Sequence, residues 1–339
     1  MSAAVPPTPS PSQSPSQSQS PSKSPAGASP ATPAAAPRIG LVGYGEVGRI
    51  LAEDLRAAGI AVSAYDLKLA SPSSDADIMR VHAVEFGVEL GASATTVATP
   101  ADLVISAVTA SQTLDAARAA AAGLRPGTFV LDFNSASPKV KRAAADAVHA
   151  AGGRYVEGAV MTSVPPHRLR VPLLLGGPHA PAAEPLLRQL GFVPTLGSAE
   201  IGVVSATKMC RSVMIKGLEA MVIESLTSAR HYGVEDAVLA SLKETVPGID
   251  WEKQTAYFFQ RVIQHGRRRS EEVREVAETV RDAGLTPWSA EGTAERQAWM
   301  ADLAEDGVFG RRGDAEFGRS PDWRTEADRL LAHLAKPPC

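Results

Sequence analysis

Arg38-Ile39-Gly40-Leu41-Val42-Gly43-Tyr44-Gly45-Glu46-Val47-Gly48 decides the fold, because an apolar run enters Gly-x-Gly-x-x-Gly just where a helical pattern begins. Each glycine answers a separate demand. Gly43 permits the tight turn, Gly45 leaves room for a pyrophosphate to approach the backbone, and Gly48 lets the helix lie close on the strand. The helix from Glu46 to Ala58 then aims unpaired N–H groups and its positive dipole end at the phosphates. Tyr44, Glu46 and Val47 fill the same turn and are expected at the cofactor. Gly59 closes the helix, Ile60 to Tyr65 reads as a second strand, and Asp66 ends it, near the ~20-residue spacing at which an acid meets the adenosine ribose. A carboxylate accepts from a free 2′-OH and repels a 2′-phosphate, so NAD is expected, with NADP possible. Lys68 would soften that repulsion if folded inward; its plainer reading is a solvated loop lysine.

Outward from this turn, the pattern is that of an α/β Rossmann domain, a doubly wound parallel sheet. Asp77 to Phe86 reads as a short helix and Asp102 to Val108 as a buried parallel strand whose end places Val108 and Thr109 beside the cofactor, with Ser111 capping the next helix. Thr128 to Asn134 is the next strand, and Asn134 joins the cofactor set. Pro138 opens the helix after it. Strands at Arg154 to Met161, Val171 to Gly177 and Phe192 to Leu196, with a helix from Ala182 to Leu190, complete the domain. Ser198 is placed to cap a helix running from about Glu200 to Tyr232, ~45 to 50 Å long. Beyond Gly233 only helical patterns remain: Val234 to Thr245, Trp251 to His265, Arg267 to Ala283 and Ala290 to Leu303. The expected organisation is a Ser/Pro-rich tail (1–37), a Rossmann domain (38–198), an interdomain helix (199–232) and an all-α domain (233–335).

The 339 residues, 44% of them hydrophobic, are enough to bury a large core. The formal charge of -3 advertises neither nucleic acid nor an anionic membrane. Two cysteines, Cys210 and Cys339, make no disulfide framework, no Cys/His cluster has metal-ligand spacing, and no apolar run has membrane-spanning length. A cytoplasmic protein with no resident metal is expected. Residues 1–37, built of Ser, Pro, Ala, Gln and Thr, cannot bury enough surface to offset chain entropy and are expected to be disordered and dispensable.

Lys208 is the main candidate for chemistry, within Gly202-Val-Val-Ser-Ala-Thr-Lys-Met-Cys-Arg-Ser212 on the long helix. Here the chain resembles the β-hydroxyacid dehydrogenase family, which includes 3-hydroxyisobutyrate and 6-phosphogluconate dehydrogenases. The resemblance runs over nearly all of Arg38 to Leu303. It implies a catalytic lysine at Lys208, with Ser212 where the family commonly has asparagine, and a homodimer formed through the all-α domain. Arg211 and Ser212, at i+3 and i+4, share a helical surface with Lys208. Desolvation in a closed cleft would lower the lysine's pKa towards the range useful for proton transfer. Lys216 and Lys243 read as solvated, and Cys210 as a buried small residue facing away.

The departures are as informative as the matches. The family's Ser-Thr-x-x-Pro appears as Asn134-Ser135-Ala136-Ser137-Pro138. Its Pro-Val-Ser-Gly-Gly substrate loop falls on Ala159-Val160-Met161-Thr162-Ser163. Met161, Thr162, Ser163 and Arg211 are the expected substrate contacts, with Arg168 as a further carboxylate holder or an exposed loop residue. His265-Gly266-Arg267-Arg268-Arg269, between two helices, either faces the substrate or is solvated and paired with Glu271, Glu272 and Glu275. Trp251, Tyr257, Phe258, Phe259, Trp288 and Trp299 read as core and subunit interface. The expectation is an NAD(P)-dependent oxidoreductase acting on a hydroxy/carbonyl group of a small to medium, anionic substrate. Gly158-Ala-Val-Met161 is similar to imine reductases, which gives the alternative; a non-catalytic NAD(P)-sensing protein is the second.

Overall fold

The computed structural model describes residues 36–336. The expectation for residues 1–37 falls almost wholly outside the described residues. Eight strands form one sheet in the order β3-β2-β1-β4-β5-β6-β7-β8: β1 Arg38–Val42, β2 Ala61–Tyr65, β3 Glu89–Leu90, β4 Leu103–Ser106, β5 Phe129–Asp132, β6 Arg154–Val160, β7 Pro172–Gly176 and β8 Val193–Ser198. Only the β6–β7 pairing is antiparallel. The strand order reverses beside β1, so the crevice outside the carboxyl ends of β1 and β4 is where such sheets take ligands. Helices α1 Glu46–Ala57, α2 Ser74–Phe86, α3 Ala94–Ala98, α4 Thr113–Ala121, α5 Pro138–Ala150 and α6 Ala180–Gln189 lie between the strands.

The glycine turn has the geometry its spacing requires. Gly43 sits at φ 98°, and a Cβ there would stand 2.4 Å from Ala107 O; one on Gly48 would stand 2.1 Å from Gly43 O. Over Gly45 a Cβ would meet no protein atom within 4 Å, so that side of the turn is open.

The long helix α7, Val203–Tyr232, is followed by α8 Glu235–Thr245, α9 Trp251–Asp282, α10 Trp288–Glu305 and α11 Trp323–Leu334. Val204 of α7 reaches Gly176 and Gly197 of the sheet, while Ile223 and Leu226 enter a second core with Phe259, Met300 and Trp323. One 30-residue helix thus runs from the sheet into the helical core.

Four expectations need correction. α7 begins at Val203, because Gly202 adopts a left-handed φ of 100°. Ser198 ends β8 and its Oγ accepts only from Glu200 N; the side chain that serves the helix start is the buried Glu157 of β6, accepting from Gly202 N and Ser205 N at 2.7 and 2.6 Å. Ser111 does not cap α4; it lies in a 3-10 turn, 3.3 Å from Thr109 Oγ1. The two helices expected across Gly266 are one 32-residue helix, α9. Gly266 is there for packing: a Cβ would stand 2.7 Å from Gln297 O of α10. α11 was absent from the sequence reading altogether.

Candidate functional site

A cleft of about 1560 Å³ opens at the carboxyl ends of the strands, between the sheet and the helices α7 and α9. Its lining includes Gly43, Gly45, Glu46, Val47, Asp66, Lys68, Val108, Thr109 and Asn134 from the sheet side. Lys208, Arg211 and Ser212 face them from α7, and Met161, Thr162 and Ser163 come from the segment after β6. Two of the expected cofactor residues are not brought to it. Gly48 is buried against Gly43, and the Tyr44 side chain points into the core, its hydroxyl 2.8 Å from His82 Nδ1. Burial pushes the Tyr44 hydroxyl up to about 12, so it stays neutral.

Asp66 is held at the end of β2 by two backbone donors, Tyr44 N to Oδ2 at 2.8 Å and Lys68 N to Oδ1 at 3.0 Å. The turn and the acid are therefore one hydrogen-bonded unit. Lys68 donates to Asp75 at 2.5 Å in an exposed pair. Asn134 bridges the ends of β4 and β5, accepting from Val108 N at 2.7 Å and donating to Ser106 Oγ at 2.9 Å. These contacts set the backbone of Val108 and Thr109 at the mouth of the crevice. The open face over Gly45, the α1 N-terminus behind it and the fixed Asp66 fit a dinucleotide.

Lys208 reaches across from α7 and donates to Ser135 Oγ at 2.6 Å. Burial, then the nearby Lys216, Lys141 and Arg268, drive its pKa down from 10.5 to about 7, against an opposing pull from Glu272. Residues 208, 211, 212, 215, 216 and 219 all border the cleft, the periodicity of one helix face.

Sequence reasoning missed the charge network behind Lys208. Lys216, expected in solvent, is buried and donates to Glu272 at 2.5 Å; Arg268 holds the other oxygen of that carboxylate at 2.9 Å. Burial alone would raise the Glu272 pKa, but Lys216, Arg268 and Lys208 outweigh it and hold the group well below the ordinary range. A second buried pair, Arg269 with Glu219, joins the same helices, and Gln297 donates to Glu219 at 3.2 Å. The basic run is thus mostly paired: Arg267 with Asp302 and Glu305, Arg268 with Glu272, Arg269 with Glu219. Glu275 instead accepts from Ser137 N at 2.8 Å, tying α9 to the start of α5.

Three more readings change. Arg168 is no carboxylate holder for the cleft; at φ 54° it is clasped by Glu53 and Asp54 of α1 at 2.6 and 2.7 Å, which anchors the loop carrying Thr162 and Ser163. Cys210 is exposed, not buried. Tyr257, expected in core or interface, is 48% exposed and borders the cleft, as do Arg261 and His265, while Trp288 is 79% exposed. Phe258 borders the cleft too but is buried in the helical core as expected, with Trp251 and Phe259. The i, i+3, i+4 recurrence of 254, 257, 258, 261, 265, 268 and 272 along α9 was the available signal, hidden by breaking the helix at Gly266.

Residues 38–192 match the NAD binding domain of 6-phosphogluconate dehydrogenase, and residues 229–300 match a domain of unknown function, DUF1932. A conserved hypothetical protein from Sinorhizobium meliloti 1021 is 33% identical, covering 89% of this chain and 98% of its own, with a TM-score of 0.67. The chain belongs to the β-hydroxyacid dehydrogenase-like family. Conserved protein MTH1747, described as structurally similar to 3-hydroxyacid dehydrogenases, is 29% identical over 79% of this chain and 99% of its own, TM-score 0.60. The mitochondrial 3-hydroxyisobutyrate dehydrogenase of Drosophila melanogaster is 24% identical over 65% of this chain and 67% of its own. The family is one of nicotinamide-dependent oxidoreductases. Among the described residues no helix is long and apolar enough to cross a membrane, and no cluster of His, Cys, Asp and Glu has the makings of a metal site.

Proposed function

We propose that the chain interconverts a hydroxy and a carbonyl group on a small to medium, anionic substrate, using NAD and a proton carried by Lys208. The observation that supports it most is the Lys208 amine, inside the cleft on Ser135 Oγ with a pKa of about 7. Such a group exchanges a proton near neutrality with little driving-force penalty in either direction. Gly43, Gly45, Glu46 and Val47 would receive the diphosphate, and Asp66 the adenosine ribose. Lys68 has a carboxylate partner of its own in Asp75, which supports NAD over NADP. Bound nicotinamide supplies the hydride acceptor or donor. Lys208 then takes the proton from the substrate hydroxyl in oxidation and returns it in reduction, Ser135 keeping the amine aimed into the cleft and Ser212 bordering the same space one turn on. Met161, Thr162, Ser163 and Arg211 would shape and charge the substrate end.

Imine reduction is the second reading, supported by Met161-Thr162-Ser163 where hydroxy-acid relatives carry Ser-Gly-Gly. Residues 38–198, 199–232 and 233–335 act in this scheme as cofactor domain, connecting helix and closing domain. Pairing of two copies through the helical part would cover exposed Met214, Met221 and Trp288. The test is a panel of hydroxy acids, alcohols, ketones and cyclic imines with NADH and NADPH, on wild type and Lys208→Met. Turnover of hydroxy or carbonyl substrates that the substitution abolishes is the expected result. Turnover of imines alone, untouched by the substitution, would transfer the case to imine reduction; cofactor binding without turnover of anything would leave a sensing protein.

A further inference from the structure

Helix α9 carries six arginines, and five have a carboxylate within ion-pair distance: Arg267, Arg268, Arg269, Arg274 and Arg281. Arg261 is the exception among the described residues. It borders the cleft, partly buried; its Nε is buried with no hydrogen-bond partner, and its Nη1 meets only Ser163 Oγ, at the outer limit of 3.5 Å. Tyr257 lies under the guanidinium, 5.8 Å from the ring centroid. Leaving a guanidinium half-desolvated and unpaired is costly, and a planar fork of donors matches an oxyanion.

The groups around it leave the positive charge uncancelled. Arg268 and Arg269 are nearby, and the carboxylate of Arg268, Glu272, is shared with Lys216. Glu219 is engaged by Arg269 and Gln297. Burial and then the surrounding arginines push His265 down to about 4, so it is neutral at pH 7 and adds no charge of its own.

We infer that Arg261 and Ser163 form an oxyanion subsite that receives a doubly charged group carried by the substrate, at a distance from the carbon that exchanges hydride. Eleven residues of α9, about 16 Å along the axis, separate Arg261 from Glu272, whose carboxylate lies beside Lys216 and Lys208. The anion therefore sits well away from the proton-transfer end, which suits a substrate with its oxyanion several bonds from the reacting carbon. The cofactor's diphosphate is the other source of oxyanion, since Gln264, His265 and Glu46 border one small recess. Substrate is favoured because Ser163, the one side chain among the described residues that hydrogen-bonds Arg261, belongs to the segment after β6 and not to the dinucleotide turn. This inference deepens the proposed function and rests on it.

The experiment is calorimetric titration of NADH-saturated protein with inorganic phosphate, sulfate and acetate at constant ionic strength, on wild type, Arg261→Gln, Ser163→Ala and Lys208→Met. Phosphate and sulfate should bind wild type more tightly than acetate, with loss of at least about tenfold in Arg261→Gln and about threefold in Ser163→Ala. NADH affinity should stay within about twofold throughout. Lys208→Met should keep phosphate binding, so failure of the lysine mechanism and failure of the subsite are separately visible. A tenfold loss of NADH affinity in Arg261→Gln would assign the guanidinium to the cofactor. Acetate binding as tightly as phosphate, or phosphate binding indifferent to Arg261, would overturn the subsite; should Arg261→Gln fold poorly, unchanged phosphate affinity in Ser163→Ala overturns it as well.

Discussion

Lys208 shows how a residue that is ordinary in sequence becomes particular in place. Its spacing with Arg211 and Ser212 was readable; its partner Ser135, 73 positions away, and the Lys216–Glu272 pair behind it were not, since helical periodicity says nothing of which helix lies opposite. The depressed pKa carries a stability consequence. The folded value lies below the unfolded one, so between about pH 7 and 10.5 the unfolded chain binds the extra proton and stability rises with pH; below 7 the full cost of the buried charge is present. Lys208→Met should therefore raise stability at pH 6 by roughly 1 to 3 kcal/mol, discounted for partial exposure, with the gain gone above pH 10.5 in denaturant titrations. The same variant should lose roughly 10²- to 10⁴-fold in kcat. Equal stabilisation at both pH values would remove the pKa argument. Asp66→Ala should weaken NADH more than NADPH; an unchanged ratio of dissociation constants would detach Asp66 from the ribose.

At the scale of elements, most of the sheet was legible because parallel strands are short apolar runs bounded by turn residues, and the glycine turn fixed where the first helix starts. The helical part was read less well. Gly266 looks like a break in any single-sequence reading, yet it lies inside α9 where α10 comes too close for a Cβ. Gly266→Ala should cost about 1 to 3 kcal/mol by forcing Gln297 away, seen as a lower Tm; a neutral result would mean α9 and α10 are more loosely packed than the geometry requires. Glu157 was equally invisible, being a lone acid in a buried strand. It anchors the start of the helix that presents Lys208, so Glu157→Gln, which keeps one acceptor oxygen and sets an NH2 donor against the other backbone N–H, should cost about 2 kcal/mol. It should also lower kcat while leaving the NADH dissociation constant unchanged, because the dinucleotide turn lies on other elements.

Across the whole molecule, the buried pairs Lys216–Glu272 and Arg269–Glu219 join α7 to α9 on the cleft side, so the wall that presents Lys208 is also the wall that holds the helical part to the connecting helix. Such pairs specify an arrangement more than they stabilise it. Glu272→Gln should destabilise by about 3 to 5 kcal/mol, whereas exchanging Lys216 and Glu272 together for Met and Leu should restore most of the loss in chemical denaturation; no recovery would mean the pair is worth more than its desolvation. The measurement that bears most directly on the account is the pH dependence of turnover in both directions, on wild type and Lys208→Met, with the carbonyl substrate and NADH in one direction and the alcohol and NAD in the other. Lys208 as the proton carrier predicts oxidation rising and reduction falling through an apparent pKa near 7, both limbs lost with the lysine. Limbs that persist unchanged in Lys208→Met would contradict it and place the proton on another group of the cleft.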